Sequence, residues 1–220
     1  MKMKKIDELD KIVLIGGGGH CKSVIDTIRG SYNYTEIAIS DGRLKRGDCI
    51  SGCYVSGGDD QLEVLMNAGY KNAVITVGSV KVNTVRRDIF NKVCGIGFYF
   101  PNIVDKSANV SASAKLGRGC FIGKNTIVNS EVVIGDFSII NTGSIIEHEC
   151  QIGDFSHIAT GAIVCGGCWV GNDVFIGAGS TIIQGLRIGN NTNIGAGSLV
   201  LANVPDNTWV YGIWKGSKTY

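Results

Sequence analysis

With 21 basic and 19 acidic side chains in 220 residues, a net charge of +2 and a pI near 8.1, the chain lacks the electrostatic footprint of a protein that binds nucleic acid or an anionic membrane. A hydrophobic content of 44%, with 32 glycines against two prolines, fits a globular, turn-rich protein of one or two domains. The start MKMKKIDELDK has no apolar core of a signal peptide, and no apolar run reaches membrane-spanning length. A cytoplasmic protein is expected.

In chain order, Lys11–Ile15 is a short β-rich run that ends in the loop Gly16-Gly17-Gly18-Gly19-His20. Cys21–Arg29 then reads as an amphipathic helix with Val24, Ile25 and Ile28 on one face. Strand, glycine loop and helix open a nucleotide-binding α/β unit, in which loop N–H groups and the helix N-terminus face a phosphate. Glu36–Ile39 is a second strand ending at Ser40-Asp41, about 20 residues beyond the loop, where such folds place an acid that reads a ribose or base. Asp60–Ala68 is predicted helical, Asn72–Val77 a third strand, Val82–Val93 another helix and Gly97–Phe100 a last strand. The GxGxxG fingerprint fails at its third glycine, where Cys21 or Lys22 stands, and the unit has room for one mononucleotide half. NAD is therefore disfavoured. A plain tight turn is the alternative reading of the loop.

From Val104 to Val200 every sixth residue is Val, Leu or Ile, 17 in unbroken register. Neither a helix nor an ordinary strand needs this period; a short repeat kept without insertion marks a solenoid. Two residues before each aliphatic position the side chain is usually small, as at Ser138, Ser144, Cys150 and Ser156. These features match the hexapeptide repeat of a parallel β-helix, three hexads to a triangular coil. One edge of the prism then carries Gly117, Gly135, Gly153, Gly171 and Gly189, which is read as a corner needing positive φ. A second carries Gly123, Asn141, Ala159, Gly177 and Gly195, and the third, with no glycine, Ser111, Asn129, Glu147, Cys165, Ile183 and Leu201. Leu201–Val204 is expected to cap the prism, Pro205-Asp206-Asn207 to turn out of it, and the aromatic tail Trp209–Tyr220 to cover the last coil or line a groove.

Among the eight cysteines, Cys120, Cys150 and Cys168 occupy the small inward slot, where Ser or Ala is expected to serve equally. Cys165-x-x-Cys168 has metal-site spacing, but no second pair completes it within the repeat. Buried thiols in a reducing compartment are expected, with no disulfide framework.

The GGGGH loop (Gly16–His20), the six-residue repeat and the run His148-Glu-Cys-Gln-Ile-Gly-Asp-Phe-Ser-His157 together resemble one family over nearly the whole chain: bacterial hexapeptide acetyltransferases acting on nucleotide-linked sugars, of the bacillosamine, perosamine and sialic-acid type. The His-Glu-Cys run is specific, whereas the repeat alone is shared by many acyltransferases. The resemblance implies a Rossmann-like βαβαβ domain over residues 1–100 that binds the sugar nucleotide. It implies a left-handed parallel β-helix over 101–220, a homotrimer, and acetyl-CoA in grooves between subunits. It implies His148 as general base, Glu149 as the group orienting it, His157 as a contact to the acetyl thioester and Gly166 as N–H donor to the thioester oxygen. Gly17, Gly18 and His20 would hold phosphates, Asp41 the nucleoside, and Asn141 would touch the acceptor. Gly212-Ile213-Trp214-Lys215-Gly216 lacks the proline with which the family usually ends, so contacts to the CoA nucleotide are not implied by it.

The residues themselves support the same chemistry. The repeat holds two histidines, both read as near the glycine-free edge, and Gly166 lies one coil beyond His148. A base and a free backbone N–H on neighbouring coils are what acyl transfer needs. A solvated surface histidine is the plain alternative. A β-helix zinc hydratase would need three histidine ligands, which two histidines flanked by Glu147 and Glu149 fit poorly, so no metal is expected. A non-catalytic trimer that only binds the sugar nucleotide stays open, as does O-acetylation of a sialic-acid-like sugar instead of N-acetylation of what is expected to be a UDP-linked 4-amino sugar.

Overall fold

The computed structural model describes residues 11–78 and 84–216. Two compact units emerge, one containing the described residues up to Gly78 together with Val85–Pro101, the other the chain from Asn102 on. The charged start, the first two residues of the predicted Val82–Val93 helix and the last four of the tail lie outside the described residues.

The first unit contains β1 (Ile12–Ile15), α1 (Gly19–Ser31), β2 (Ile37–Ser40), β3 (Cys49–Ile50), β4 (Cys53–Gly57), α2 (Leu62–Asn67), β5 (Asn72–Ile75) and α3 (Val85–Val93). The sheet order is β3-β4-β2-β1-β5, parallel except for the β3–β4 hairpin. β1 sits inside the sheet and is buried along its whole length, which is why it reads as an unbroken apolar run. The hairpin was missed. Its signal is Ser51-Gly52, both at positive φ, between two pairs of β-forming residues. The expected Gly97–Phe100 strand is reduced to a single bridge between Asn72 and Tyr99.

In the second unit each hexad contributes a two-residue strand, and the strands stack into three parallel faces. The first face runs from Ile103–Val104 through Ile139–Ile140 and His157–Ile158 to Trp209–Val210. The second contains Ile127–Val128, Ile145–Ile146 and Ile163–Val164, and the third Val133–Ile134, Gln151–Ile152 and Trp169–Val170. Register follows the sequence repeat: Ile146 pairs with Val164 and Ile152 with Val170, one 18-residue coil apart. The aliphatic column fills the bore, Ile122, Ile140, Ile158 and Ile176 being fully buried.

The small inward position does more than leave room. Ser138, Ser156 and Ser180 donate their hydroxyls at 2.8 Å to the carbonyls of Gly153, Gly171 and Gly195 in the next coil. Cys120, Cys150 and Cys168 reach the equivalent carbonyls at 3.1 Å. Serine thus reproduces the bond that these thiols make, whereas alanine, which fills the same slot at Ala108, Ala114 and Ala162, fits without it.

The glycine edge also needs correcting. Gly117, Gly135, Gly153, Gly171 and Gly189 do not have positive φ; the left-handed residue comes two places later, at Gly119, Phe137, Phe155, Asp173 and Asn191. What excludes a side chain is close approach. A β-carbon on Gly117 would lie 2.5 Å from Asp136 Oδ1 and 2.7 Å from its backbone nitrogen. Asp136, Asp154, Asn172, Asn190 and Asp206 form a ladder there, each accepting the N–H of the residue one coil before it at 2.8–3.0 Å.

Nor does the chain leave the prism at Pro205. Asn207 takes the left-handed corner, and Trp209–Val210 and Ile213–Trp214 add a strand each to the first and second faces. The spacing shortens to 16 and then 14 residues, which is what broke the repeat in sequence.

Candidate active site

In the first unit, the glycine loop leaves the C-terminal end of β1, where the next strands in space, β2 and β5, belong to opposite sides of the fold. This is the crevice in which open α/β sheets take ligands. A cavity of about 790 Å³ opens there, and Gly18, Gly19, His20, Asp41, Arg43 and Lys92 are among its lining. No side chain caps α1, so its first-turn N–H groups face the opening.

The four glycines have different reasons. Gly16 has φ +109, and a side chain on Gly17 would strike Leu44 and Ile50. Gly18 and Gly19 meet nothing within 4 Å, so the fold itself does not require their smallness; a ligand lying on the backbone would. Gly17 stands just behind the lining, held by its N–H donating to Asp41 Oδ2 at 2.7 Å. Asp41 Oδ1 accepts the Arg43 N–H at 2.8 Å, so this acid clamps two loops as well as facing the cavity. Burial, and then the charge of Arg86, hold the His20 imidazole down at about 4, which keeps it neutral at ordinary pH. Arg43, Asp59, Asp60 and Lys92 went unnoticed in the sequence; Asp59-Asp60 after the Gly57-Gly58 strand end was the available signal.

In the second unit, His148, Glu149 and Gly166 lie on the edge between the second and third faces. His148 Nδ1 is 3.0 Å from Glu149 Oε2. Glu149 occupies the left-handed corner with φ 61, which throws its side chain back beside the histidine. Gly166 is directly below: a β-carbon there would lie 2.6 Å from His148 Nε2. Among the described residues no hydrogen bond engages the Gly166 N–H, while its neighbour Gly167 donates to the His148 carbonyl at 2.9 Å.

His157 is elsewhere. It belongs to the first face, across the prism from that edge, contrary to the sequence expectation that both histidines share it. Its ring is only 6% exposed, packed edge-on to Phe175 and 3.3 Å from the Asn141 amide. Asn141 stands on the edge between the first and second faces. One chain therefore brings His148, Glu149 and Gly166 together, and His157 with Asn141, but not the two groups to each other. The repeat spacing shows which coil a residue is on; its position within the hexad sets face or edge, and the place just before Ile158 puts His157 on a face.

All eight cysteines are free thiols. Burial raises the Cys165 thiol, which immediately precedes Gly166 in the chain. Cys150 and Cys168 are sealed in the bore, where the neighbouring Cys168 thiol and burial raise the Cys150 thiol. Among the described residues no group of three His, Cys, Asp or Glu side chains could hold a metal ion. No described helix is long and apolar enough to cross a membrane.

Residues 11–93 match the PglD N-terminal domain, and residues 149–184 and 167–202 match the bacterial transferase hexapeptide (six repeats). Perosamine N-acetyltransferase from Caulobacter crescentus, as a variant bound to CoA and GDP-perosamine, is 33% identical over 93% of each chain, with a TM-score of 0.85. The chain belongs to this family of hexapeptide-repeat sugar acetyltransferases. The acetyltransferase domain of PglB from Neisseria gonorrhoeae, in complex with acetyl coenzyme A, is 30% identical over 90% of this chain and 94% of its own, with a TM-score of 0.81. WeeI from Acinetobacter baumannii, at 23% identity and TM-score 0.82 over 91% of this chain and 96% of its own, shares the fold. No curated protein matches the chain. The second unit is accordingly the left-handed β-helix of this acetyltransferase family, and acetyl-CoA is its co-substrate.

Proposed function

We propose that the enzyme transfers acetyl from acetyl-CoA to the amino group of a nucleotide-linked amino sugar, with a UDP-linked 4-amino sugar as the first candidate. The observation that carries the reading is the stack of Glu149, His148 and Gly166. Glu149 accepts the Nδ1 proton, which leaves the lone pair on Nε2, and Nε2 is the atom poised over the Gly166 backbone. In this mechanism the acceptor nitrogen attacks the thioester carbon while His148 Nε2 takes its proton. The oxyanion is met by the Gly166 N–H, the carbon–sulfur bond then breaks, and the proton passes to the departing CoA sulfur. No acyl-enzyme is needed, because both substrates meet at one site. The raised Cys165 thiol and the sealed Cys150 and Cys168 agree with this.

The first unit is proposed to hold the sugar nucleotide, its diphosphate on Gly18 and His20 at the uncapped start of α1 and its nucleoside toward Asp41, while Gly17, expected from the sequence to hold phosphate, has its N–H committed to Asp41. His157 and Asn141 are assigned to the acetyl-CoA and acceptor side. They are remote from His148 within one chain, and the side chains of His148 and Glu149 are 60% and 65% exposed, too open for acyl transfer away from water. A second copy of the β-helix would supply the missing wall. The second face presents Ile127, Ile145, Ile163 and Leu199 outward, partly buried, with Ile213 63% exposed, an apolar stripe suited to such a neighbour. Closure by rotation gives the proposed homotrimer. Eight free thiols fit a reducing, cytoplasmic setting.

The test is mass spectrometry of products from acetyl-CoA with UDP-, GDP- and CMP-linked amino sugars and their hydroxyl analogues. N-acetylation of an amino sugar in the panel is expected. Product from the hydroxyl analogues alone would move the assignment to O-acetylation, and nucleotide-sugar binding with no turnover would reduce the protein to a binding module.

A further inference from the structure

The Asn141 amide has a determinable orientation. The Thr142 backbone N–H points at it from 2.8 Å, and a backbone N–H can only donate, so the atom it meets is Oδ1. The Thr142 hydroxyl approaches the same oxygen at 3.4 Å. The other end of the amide, 3.3 Å from His157 Nε2, is therefore the NH2 group, which only donates. His157 Nε2 must then accept, which excludes a proton on it. This excludes both the Nε2–H tautomer and the imidazolium, and leaves the neutral ring with its proton on Nδ1. The ring turned over would set a carbon, Cε1, against the amide NH2 and lose this bond, so the observed orientation is the one the pair supports.

We propose that Asn141 is a positioning residue that fixes His157 as the neutral Nδ1–H tautomer, so that the ring works as a single-direction hydrogen-bond donor in acetyl-CoA binding and never as an acid or base. The role in acetyl-CoA binding rests on the assignment of His157 to the cofactor; the tautomer does not. The division of labour is then chemical. His148, with Nδ1 tied to a carboxylate, keeps a basic Nε2, whereas His157, with Nε2 tied to an amide donor, has no free base.

Three histidines in the chain make the experiment tractable. Full-length protein with ¹⁵N-labelled histidine is examined by NMR between about pH 6 and 8, with His157 identified by substitution. The wild type is expected to show His157 as Nδ1–H throughout. Asn141→Asp keeps the shape and the Thr142 contact but presents an acceptor, so Nε2 should gain a proton. Asn141→Ala should leave a tautomer mixture. In both variants KM for acetyl-CoA should rise roughly tenfold, the worth of one misdirected hydrogen bond, with a smaller effect on KM for the sugar nucleotide. An Nε2–H ring in the wild type, or a spectrum unchanged in Asn141→Asp, overturns the proposal. A tautomer that switches as expected while KM for acetyl-CoA stays put upholds the positioning and removes His157 from the cofactor site.

Discussion

The imidazole of His148 rests on Gly166, with Nε2 so near the backbone that a single methyl group at position 166 would lie 2.6 Å from it. Gly166 is not at positive φ, so alanine fits the backbone and the conflict falls on the histidine, whose exposed side chain can swing away. Gly166→Ala should cost the fold little, within about 0.5–1 kcal/mol, and cost kcat on the order of tenfold to a hundredfold. Thermal melts beside steady-state kinetics check both halves. Unchanged kcat would detach Gly166 from the site.

His148→Ala should lower kcat by roughly 10²–10⁴, the usual worth of a general base. Glu149→Ala should lose less, since orientation goes but the base remains. Neither occupies the buried aliphatic column, so both variants should keep the wild-type oligomeric state, read by light scattering. A loss under about tenfold in His148→Ala, or an acetyl-cysteine trapped by rapid quench, would falsify the direct mechanism.

Asp41 should matter to one substrate only. Because its two oxygens hold the N–H groups of Gly17 and Arg43, Asp41→Ala should loosen the phosphate loop and weaken sugar-nucleotide binding by about tenfold or more. Calorimetry with acetyl-CoA should show unchanged affinity. Parallel loss of both ligands in a folded variant counts against assigning the first unit to the acceptor.

His20 gives a pH dependence of definite sign. The unfolded chain takes up a proton near 6.5, the folded one only near 4, so acid favours unfolding. Stability attributable to this residue is intact above about pH 6.5 and falls as pH drops toward 4, by at most about 3 kcal/mol. In His20→Gln the difference in urea midpoint between neutral and mildly acidic buffer should shrink; an identical difference would assign the acid sensitivity to other groups.

Two glycines at prism corners should respond unequally to alanine. Gly153→Ala puts a methyl 2.5 Å from the Gly171 carbonyl carbon and 2.6 Å from Asn172 Oδ1, an overpacking against backbone that should cost about 3 kcal/mol or more. Gly161 has φ +65 with open space around it, so Gly161→Ala should cost only the left-handed penalty of about 1–2 kcal/mol. Equal losses in chemical denaturation would mean the close approach is not what selects glycine at Gly153.

These glycines also mark where sequence reasoning stopped. A period of six is visible in any chain that keeps it, because each aliphatic residue must fill the same slot in the bore, and the 18-residue coil followed from the glycine ladder alone. Why that ladder is glycine was not legible, since the reason lies in a neighbour, Asp136 or Asn172, that reaches the corner only after coiling. The His148–Gly166 pair was legible because both ends share one edge and differ by one coil. The Asn141–His157 pair, 16 residues apart, was not, because it joins an edge to a face and obeys no repeat.

The protons of these interior side chains run one way. Ser138, Ser156 and Ser180, like Cys120, Cys150 and Cys168, all give their proton to the following coil, and the Asp/Asn ladder likewise draws its acceptors from the coil ahead. The side-chain donors of a coil are thus met by its successor, and those of the final coil must be met by other means. Asp206 takes the Asn190 N–H, Asn203 takes that of Arg187, and the Pro205 carbonyl receives the Thr192 hydroxyl. Shortening the chain from its C-terminal end would consequently do its damage upstream of the cut, exposing unmet donors in a coil whose own sequence is intact. Removal of turns from the opposite end strips acceptors too, because the N–H groups of Ser156, Val174 and Ser198 fall on the hydroxyl oxygens of Ser138, Ser156 and Ser180 in the coil before, and that of Gly167 on the His148 carbonyl. A cut at either end therefore leaves unmet donors in an intact coil, side-chain hydroxyls and thiols at one end and backbone N–H groups at the other.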